Sequence, residues 1–341
     1  MRVAMPELWE TGASWLGRLR FFDAYAYLKR KHIGSQVAIT TYHRVPFSRQ
    51  NWSIRSQVTL RSFENQIQYL RQNFAILSLD ELRQALQRKS LPKRAVVITF
   101  DDGYRDNYLY AFPILKKYSI PAMFFLTTGH IGVGKPFWQD RVGYLIHHAM
   151  VGHLELDELG SYTIRSAFDR SRATFMIRDN LERLPEQRKN CLIEKLADVC
   201  RADIPDDFGS QLVLSWAEVE EMHQDGAEFG AHSVTHPFLT DLPSAQARWE
   251  IQQSKEDIER RLGEEVRFFS YPMGQCSSEI VRIVKECGFA GAVTTDWSWI
   301  SPRSDPYRLG RIPMTESQSK SAALLSGFVG DLGIKSRWSK N

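Results

Sequence analysis

Residues 95–100 read Ala-Val-Val-Ile-Thr-Phe, and Asp101-Asp102-Gly103 follow at once. A continuous run of β-branched and aromatic side chains bounded by turn residues reads as a strand buried within a sheet. Two carboxylates close that strand. Charged side chains at the carboxyl end of a parallel strand lie where α/β active sites are built. Adjacent residues of an extended chain point apart, so the two carboxylates are free to take different roles, one on a metal and one on a proton. Gly103 permits the tight turn that exposes both. Helix capping by Asp102 is the competing reading of the pair.

The surrounding sequence supplies the rest of an α/β domain. Short apolar runs at 36–42, 122–127, 227–231, 266–270 and 291–295 read as strands. Segments 62–72, 80–89, 106–118, 215–225, 244–262 and 277–287 read as helices, and Ser215 with Glu218 has the pattern of a capping box. Such alternation implies parallel strands joined by crossover helices, in a (β/α) barrel or an open sheet. Residues 136–212 break the rhythm: polar, helical and without a strong strand signal, they read as a helical insertion. The domain is expected over 36–315, after an amphipathic helical segment at 1–35 and before a tail at 316–341.

Hydrophobic residues make up 43% of the chain and charged residues 25%, enough apolar side chain to fold. The net charge of +4 is small for a dedicated nucleic-acid binder, and no nucleic-acid partner is expected. Cys191, Cys200, Cys276 and Cys287 form no CxxC pair and read as reduced thiols. No apolar run long enough to span a membrane and no secretory pattern are found, so the expected location is the cytoplasm. Leu8, Trp15, Leu16, Leu19 and Phe22 recur at helical spacing near Arg18 and Arg20. Residues 1–33 therefore allow peripheral contact with the inner face of a membrane.

Two further segments carry chemistry. His232-Ser233-Val234-Thr235-His236-Pro237 follows the 227–231 strand. Two histidines four apart on a turn can bring both imidazoles onto one cation, and Asp plus two His is a three-ligand set with an open position. Phe268-Phe269-Ser270-Tyr271-Pro272-Met273-Gly274 is an apolar strand running into a turn whose backbone N–H groups could face an oxyanion.

Together, TFDDGY, HSVTHP and FSYPMG, in this order at three strand ends, resemble the polysaccharide deacetylases, carbohydrate esterase family four with its nodulation-factor deacetylase-like domain. The resemblance spans roughly residues 36–315, less much of the 140–212 stretch. It implies an α/β fold, a distorted (β/α) barrel with a helical insertion, and metal-dependent removal of acetyl groups from sugars. It implies Asp101 as general base and Asp102, His232 and His236 as ligands of a divalent metal, zinc before other transition metals. It also implies the backbone N–H of Tyr271, beside Pro272, as an oxyanion donor. The implied partner is an acetylated oligo- or polysaccharide or a lipid-linked sugar in exopolysaccharide or cell-envelope synthesis. Hydrolysis of another amide or a formyl group on a sugar, or a non-catalytic glycan-binding domain, are the alternatives.

Two departures from the family pattern stand out. Many members carry an Arg in the third motif that orients the base; here Ser270 occupies that place. Many carry a late Leu-x-His whose His is the general acid; here the chain reads Leu309-Gly310-Arg311, and no His follows His236. Tyr42-His43-Arg44, ending the first strand, resembles the exopolysaccharide deacetylases that include the biofilm poly-N-acetylglucosamine enzymes. That resemblance implies His43 as the general acid. Arg44 or Arg311 is expected to orient Asp101. Trp138, Trp297 and Trp299 are read as sugar platforms or core residues, His130 as a loop histidine at the catalytic end, and His147-His148 as a helix-surface pair.

Overall fold

The structure, a computed structural model, describes residues 36–182 and 184–326. The amphipathic segment expected over 1–35, and the tail from 327 onward, lie outside the described residues. Ten strands are present among the described residues: β1 (Val37–Tyr42), β2 (Ala75–Leu77), β3 (Ala95–Phe100), β4 (Met123–Leu126), β5 (His153–Leu156), β6 (Gly160–Thr163), β7 (Glu228–Ala231), β8 (Phe268–Ser270), β9 (Gly291–Val293) and β10 (Ile312–Pro313).

Eight of these form one parallel sheet in the order β10-β1-β3-β4-β7-β8-β9, with β2 beside the first half of β3. The sheet curls on itself. Leu309 bridges in parallel to Val293 of β9, and Ile312 and Pro313 pair with Thr40 and Thr41 of β1. One short segment thus joins the two edges and closes a distorted (β/α) barrel.

The sheet strands are mostly apolar because both faces are covered, and their polar members Thr40, Thr41, Thr99 and Ser270 are buried as well. Ile39, Val97, Phe125 and Phe268 belong to an inner cluster that takes Leu82 from the helix Leu79–Gln87. Their neighbours Ala38, Val96, Phe124 and Phe269 join an outer cluster with Phe63, Ile67 and Ile251 from flanking helices. Alternate residues therefore feed two cores, which is why no period-two polar pattern marks these strands. Thr99 and then Asp101 continue the inner column of β3.

Helix ends are capped as their sequences dictate. Ser215 Oγ accepts the Glu218 N–H at 3.2 Å, and the Glu218 carboxylate accepts the Ser215 N–H at 2.8 Å. A cap of this kind contributes about 1 kcal/mol. The helix Leu60–Asn73 takes its cap from far along the chain: Glu316 accepts from the N–H and hydroxyl of Thr59, at 2.7 and 2.9 Å.

Three expectations need correction. Residues 136–212 are not purely helical: β5 and β6 form an antiparallel ribbon, and Leu154, Leu156 and Tyr162 pack with Ile146, Ile177 and Leu196 in a core separate from the barrel's. Four-residue strands leave too little alternation to register in a polar stretch. The helix expected over 106–118 is a π-helix at Asn107–Ala111 followed by an α-helix at Phe112–Lys117. Pro113 has no N–H for the carbonyl four residues back, and the helical register changes around it. The start of the tail is a helix, Gln318–Ser326, with Ala323 and Leu325 buried in the barrel's outer core.

Candidate metal and catalytic site

The three motifs meet at the carboxyl ends of β3, β7 and β8. Eight described non-glycine residues have positive φ, and Asp102 (76°), Ser233 (63°), His236 (60°) and Met273 (55°) are four of them. Left-handed backbone at non-glycine residues costs about 1–3 kcal/mol each and persists where surrounding structure enforces it. Its concentration on these three turns marks them as built for something other than stability. Gly103 suits this turn: its φ of 83° strains any residue with a Cβ, and an added Cβ would press to 2.7 Å on Ile131 Cδ1.

Asp101 and Asp102 diverge as adjacent residues must. Asp101 is held by Arg311, whose two terminal nitrogens donate to its two oxygens at 2.7 and 2.6 Å. Arg311 is fully buried and donates also to Thr99 Oγ1, Ser270 Oγ and the Thr294 carbonyl, at 3.2, 3.1 and 2.9 Å. Burial by itself would raise the Asp101 carboxyl, but Arg311 and His232 hold it below its usual value.

Asp102 faces the histidines. His232 Nε2 and His236 Nε2 lie 3.5 and 3.4 Å from Asp102 Oδ1. Both Asp102 oxygens are buried without a hydrogen-bond partner. Burial disfavours its charge, yet Arg55, His232 and His236 hold the carboxyl well below the ordinary range. A buried carboxylate lacking donors is costly unless a cation completes it. The spacing fits one: tetrahedral zinc with bonds of about 2.0–2.2 Å sets neighbouring ligand atoms about 3.4 Å apart. The ligand atoms of Asp102, His232 and His236 all lie within 4.8 Å of one another.

Surrounding groups orient the histidines. His232 Nδ1 lies 2.7 Å from the Ser270 carbonyl, which can only accept, so Nδ1 carries the proton and Nε2 is left as a lone pair toward Asp102. The His232–His236 turn hangs from Glu250 of the helix Ser244–Leu262. Glu250 accepts from the N–H groups of Val234 and Thr235 at 2.8 and 2.9 Å, and from the Thr235 hydroxyl at 2.5 Å.

His43 is half-buried at the end of β1. Burial lowers its pKa, and Asp102 and Asp101 pull it part of the way back. The two expected orienting arginines separate. Arg311 reaches Asp101; Arg44 does not. Arg44 Nε donates to Asp106 Oδ2 at 2.9 Å, and Asp106 Oδ1 accepts the Val45 N–H at 3.1 Å. Arg44 is thus spent on pinning the loop that carries His43, because the buried Asp106 carboxylate is the nearer partner.

Tyr271 also departs from expectation. Its backbone N–H donates to the Val293 carbonyl at 3.1 Å, continuing the β8–β9 ladder by one residue, so that amide is not available to an oxyanion. Its hydroxyl donates to the Tyr307 carbonyl at 3.0 Å, and Pro272 is buried beside it. Among the lesser candidates, Trp138 packs in the inserted core under Lys189, and Trp297 and Trp299 pack against the barrel's outer core. His130 stacks on Phe137 at 4.1 Å and donates from Nδ1 to the Lys135 carbonyl. His147 and His148 lie at the end of the helix Trp138–His147.

Sequence reasoning missed Arg55, Glu250 and the buried pair Tyr104–Asp140, whose hydroxyl-to-carboxylate bond is 2.8 Å. Asp140 stands in the expected insertion but is fully buried against the barrel residue Tyr104.

The chain matches the family described as polysaccharide deacetylase over residues 88–292. It is 24% identical over 302 residues to the putative polysaccharide deacetylase YxkH of Bacillus subtilis, covering 88% of this chain and 78% of that one. It is 47% identical over 76 residues to the poly-β-1,6-N-acetyl-D-glucosamine N-deacetylase of Staphylococcus epidermidis, a stretch covering 22% of this chain and 26% of the relative. Among solved structures, the Streptococcus pyogenes deacetylase PplD in complex with acetate superposes with a TM-score of 0.58 at 21% identity, covering 85% of this chain and 97% of that one. IcaB from Ammonifex degensii gives 0.58 at 21%, covering 86% and 98%. At these identities the two structures speak for the fold.

Proposed function

The chain belongs to the polysaccharide deacetylase family, and on that premise we propose that it hydrolyses N-acetyl groups on an acetylated glycan or lipid-linked sugar in exopolysaccharide or envelope synthesis. Deacetylases of this family are metalloenzymes, and Asp102, His232 and His236 form the set that would hold the ion, zinc by donor type. A divalent metal there supplies a Lewis acid that polarises the acetyl carbonyl and makes water more acidic. The observation that carries the reading is the pairing of that donor set with a second carboxylate, Asp101, that no ligand role consumes.

Asp101 takes the proton from the attacking water. Arg311 keeps it ionised and fixes both its oxygens, so its position does not depend on substrate. The leaving amine must receive a proton, since an amide anion is too basic to leave unaided, and His43 is the group we assign to deliver it. The Tyr271 amide is spent on the Val293 carbonyl in the sheet, so it does not serve as the oxyanion donor.

Acetate release from a set of N-acetylated oligosaccharides, with formate followed in parallel on formylated sugars, tests the activity. Release of formate alone would move the reading to the other amide. Sugar binding without turnover in metal-replete protein would make the domain a binder. From their amphipathic pattern we also propose residues 1–33 as a peripheral membrane contact; vesicle flotation unchanged by their deletion would remove it.

A further inference from the structure

A cation that the steps above leave unused sits beside the candidate metal site. Arg55 lies on the chain between β1 and the helix Leu60–Asn73. One of its terminal nitrogens is 3.5 Å from Asp102 Oδ2, and its side chain is 12% exposed. The guanidinium lies 5.4 Å from the Phe137 ring centroid. That nitrogen and Nε are buried without hydrogen-bond partners, as are both oxygens of Asp102. Two buried groups of opposite charge therefore face each other across a gap longer than a charge-assisted hydrogen bond. On the other oxygen, Oδ1, the two histidines stand off by 3.5 and 3.4 Å. Asp102 is poised between a guanidinium on one oxygen and two imidazoles on the other, and is hydrogen-bonded to neither.

We propose that Arg55 is a positioning residue: it serves as the counter-ion of Asp102 while no metal is bound, and it competes with a bound metal for that carboxylate. The proposal rests on the reading of Asp102, His232 and His236 as the metal set. A guanidinium on Oδ2 leaves Oδ1 as the oxygen facing the two imidazoles. It also repels a dication across a single carboxylate, at a distance and burial where such repulsion is worth more than thermal energy. Arg55 therefore stabilises the metal-free protein and loosens its hold on metal, so that the ion exchanges instead of being locked in.

The experiment compares wild type, Arg55→Met and Arg55→Lys, each stripped and then titrated with zinc alone against a chelating dye, with thermal unfolding of stripped and loaded forms. Arg55→Met should bind zinc at least ~10-fold more tightly, and its stripped form should melt below wild type by more than its loaded form does. Arg55→Lys, which keeps the charge, should stay within ~3-fold of wild-type affinity. Arg55→Gln supplies the neutral arm if Met is not tolerated. Unchanged or weaker zinc binding by the neutral variant, or equal loss of stability in stripped and loaded forms, overturns the proposal. A double-mutant cycle of Arg55→Met with Asp102→Asn in stripped protein should be non-additive, and additivity overturns it. Wild type that takes up no zinc would sink the metal reading, while the cycle would still decide whether Arg55 is the counter-ion.

Discussion

Arg311 grips both oxygens of Asp101, at 2.7 and 2.6 Å, from the segment that closes the barrel. Family members that orient this carboxylate from the third motif place an Arg where this chain has Ser270. Here Ser270 Oγ accepts from the same guanidinium at 3.1 Å. The small side chain leaves room for a cation arriving from another strand, and the pairing survives with its donor relocated. Arg311→Met should leave an ionised Asp101 buried without a partner, at a cost of about 3–5 kcal/mol. Adding Asp101→Asn removes the stranded charge, so the double variant should be more stable than Arg311→Met alone. Denaturant titration of the three variants checks this, and strictly additive losses would mean the pair is not coupled.

His43 gives a kinetic expectation with a sign. A general acid must be protonated, and burial lowers the His43 pKa from its ordinary value. Its imidazolium is therefore present at low pH and lost as pH rises through a value below about 6.5. The alkaline limb of the kcat/KM profile should fall in that range, because that profile reports the free enzyme. His43→Gln should cut kcat by ~10²-fold and remove the limb. A variant with near-wild-type kcat would take His43 out of the acid role.

The metal assignment is checked without reference to turnover. His232→Ala with His236→Ala should abolish stoichiometric zinc in elemental analysis, whereas Asp101→Asn should retain it. Zinc persisting in the double variant would refute the ligand set. Glu250 acts one step further out, since it suspends the turn that carries His236 from three hydrogen bonds. Glu250→Gln keeps the shape but weakens those bonds, and a loss of zinc affinity of about 10–100-fold is expected, in line with outer-sphere partners elsewhere. Affinity equal to wild type would show that the turn holds itself.

What could be read from the chain followed from pattern length. β3 declares itself because a run of six residues, five of them apolar, needs two covered faces, and the end of that run places Asp101 and Asp102 at a strand terminus from sequence alone. β2 and β10, at three and two residues, are too short to carry a period, yet β10 closes the barrel and brings Arg311 to Asp101. Arg311 was therefore one of two arginines with no sequence signal to separate them. Geometry separates them, because Asp106 claims Arg44. The Tyr271 amide departs from expectation for a related reason: whether a strand-end N–H is free depends on how far the neighbouring strand runs, and β9 offers the Val293 carbonyl just there. Arg55 and Glu250 lie in a loop and a charged helix where a single Arg or Glu is unremarkable. Only tertiary placement singles them out.

Away from the catalytic end, Glu228 makes stability depend on pH. It opens β7, and burial pushes its carboxyl up to about 7, with Asp80 and Glu81 acting in the same direction. Its folded pKa thus lies above the unfolded value of about 4.3. Between those values the native state binds the proton more tightly than the unfolded chain, so this group's favourable contribution is complete below about 4 and is lost as pH rises through about 7. Glu228→Gln removes the titration. The variant should unfold at a higher temperature than wild type at pH 8 and show no such advantage at pH 4. Because Glu228 is only partly buried, solvent screening keeps the difference to a few degrees. Melting curves for both proteins across pH 4–8 decide it: parallel profiles would mean that the Glu228 carboxyl titrates as it does in the unfolded chain.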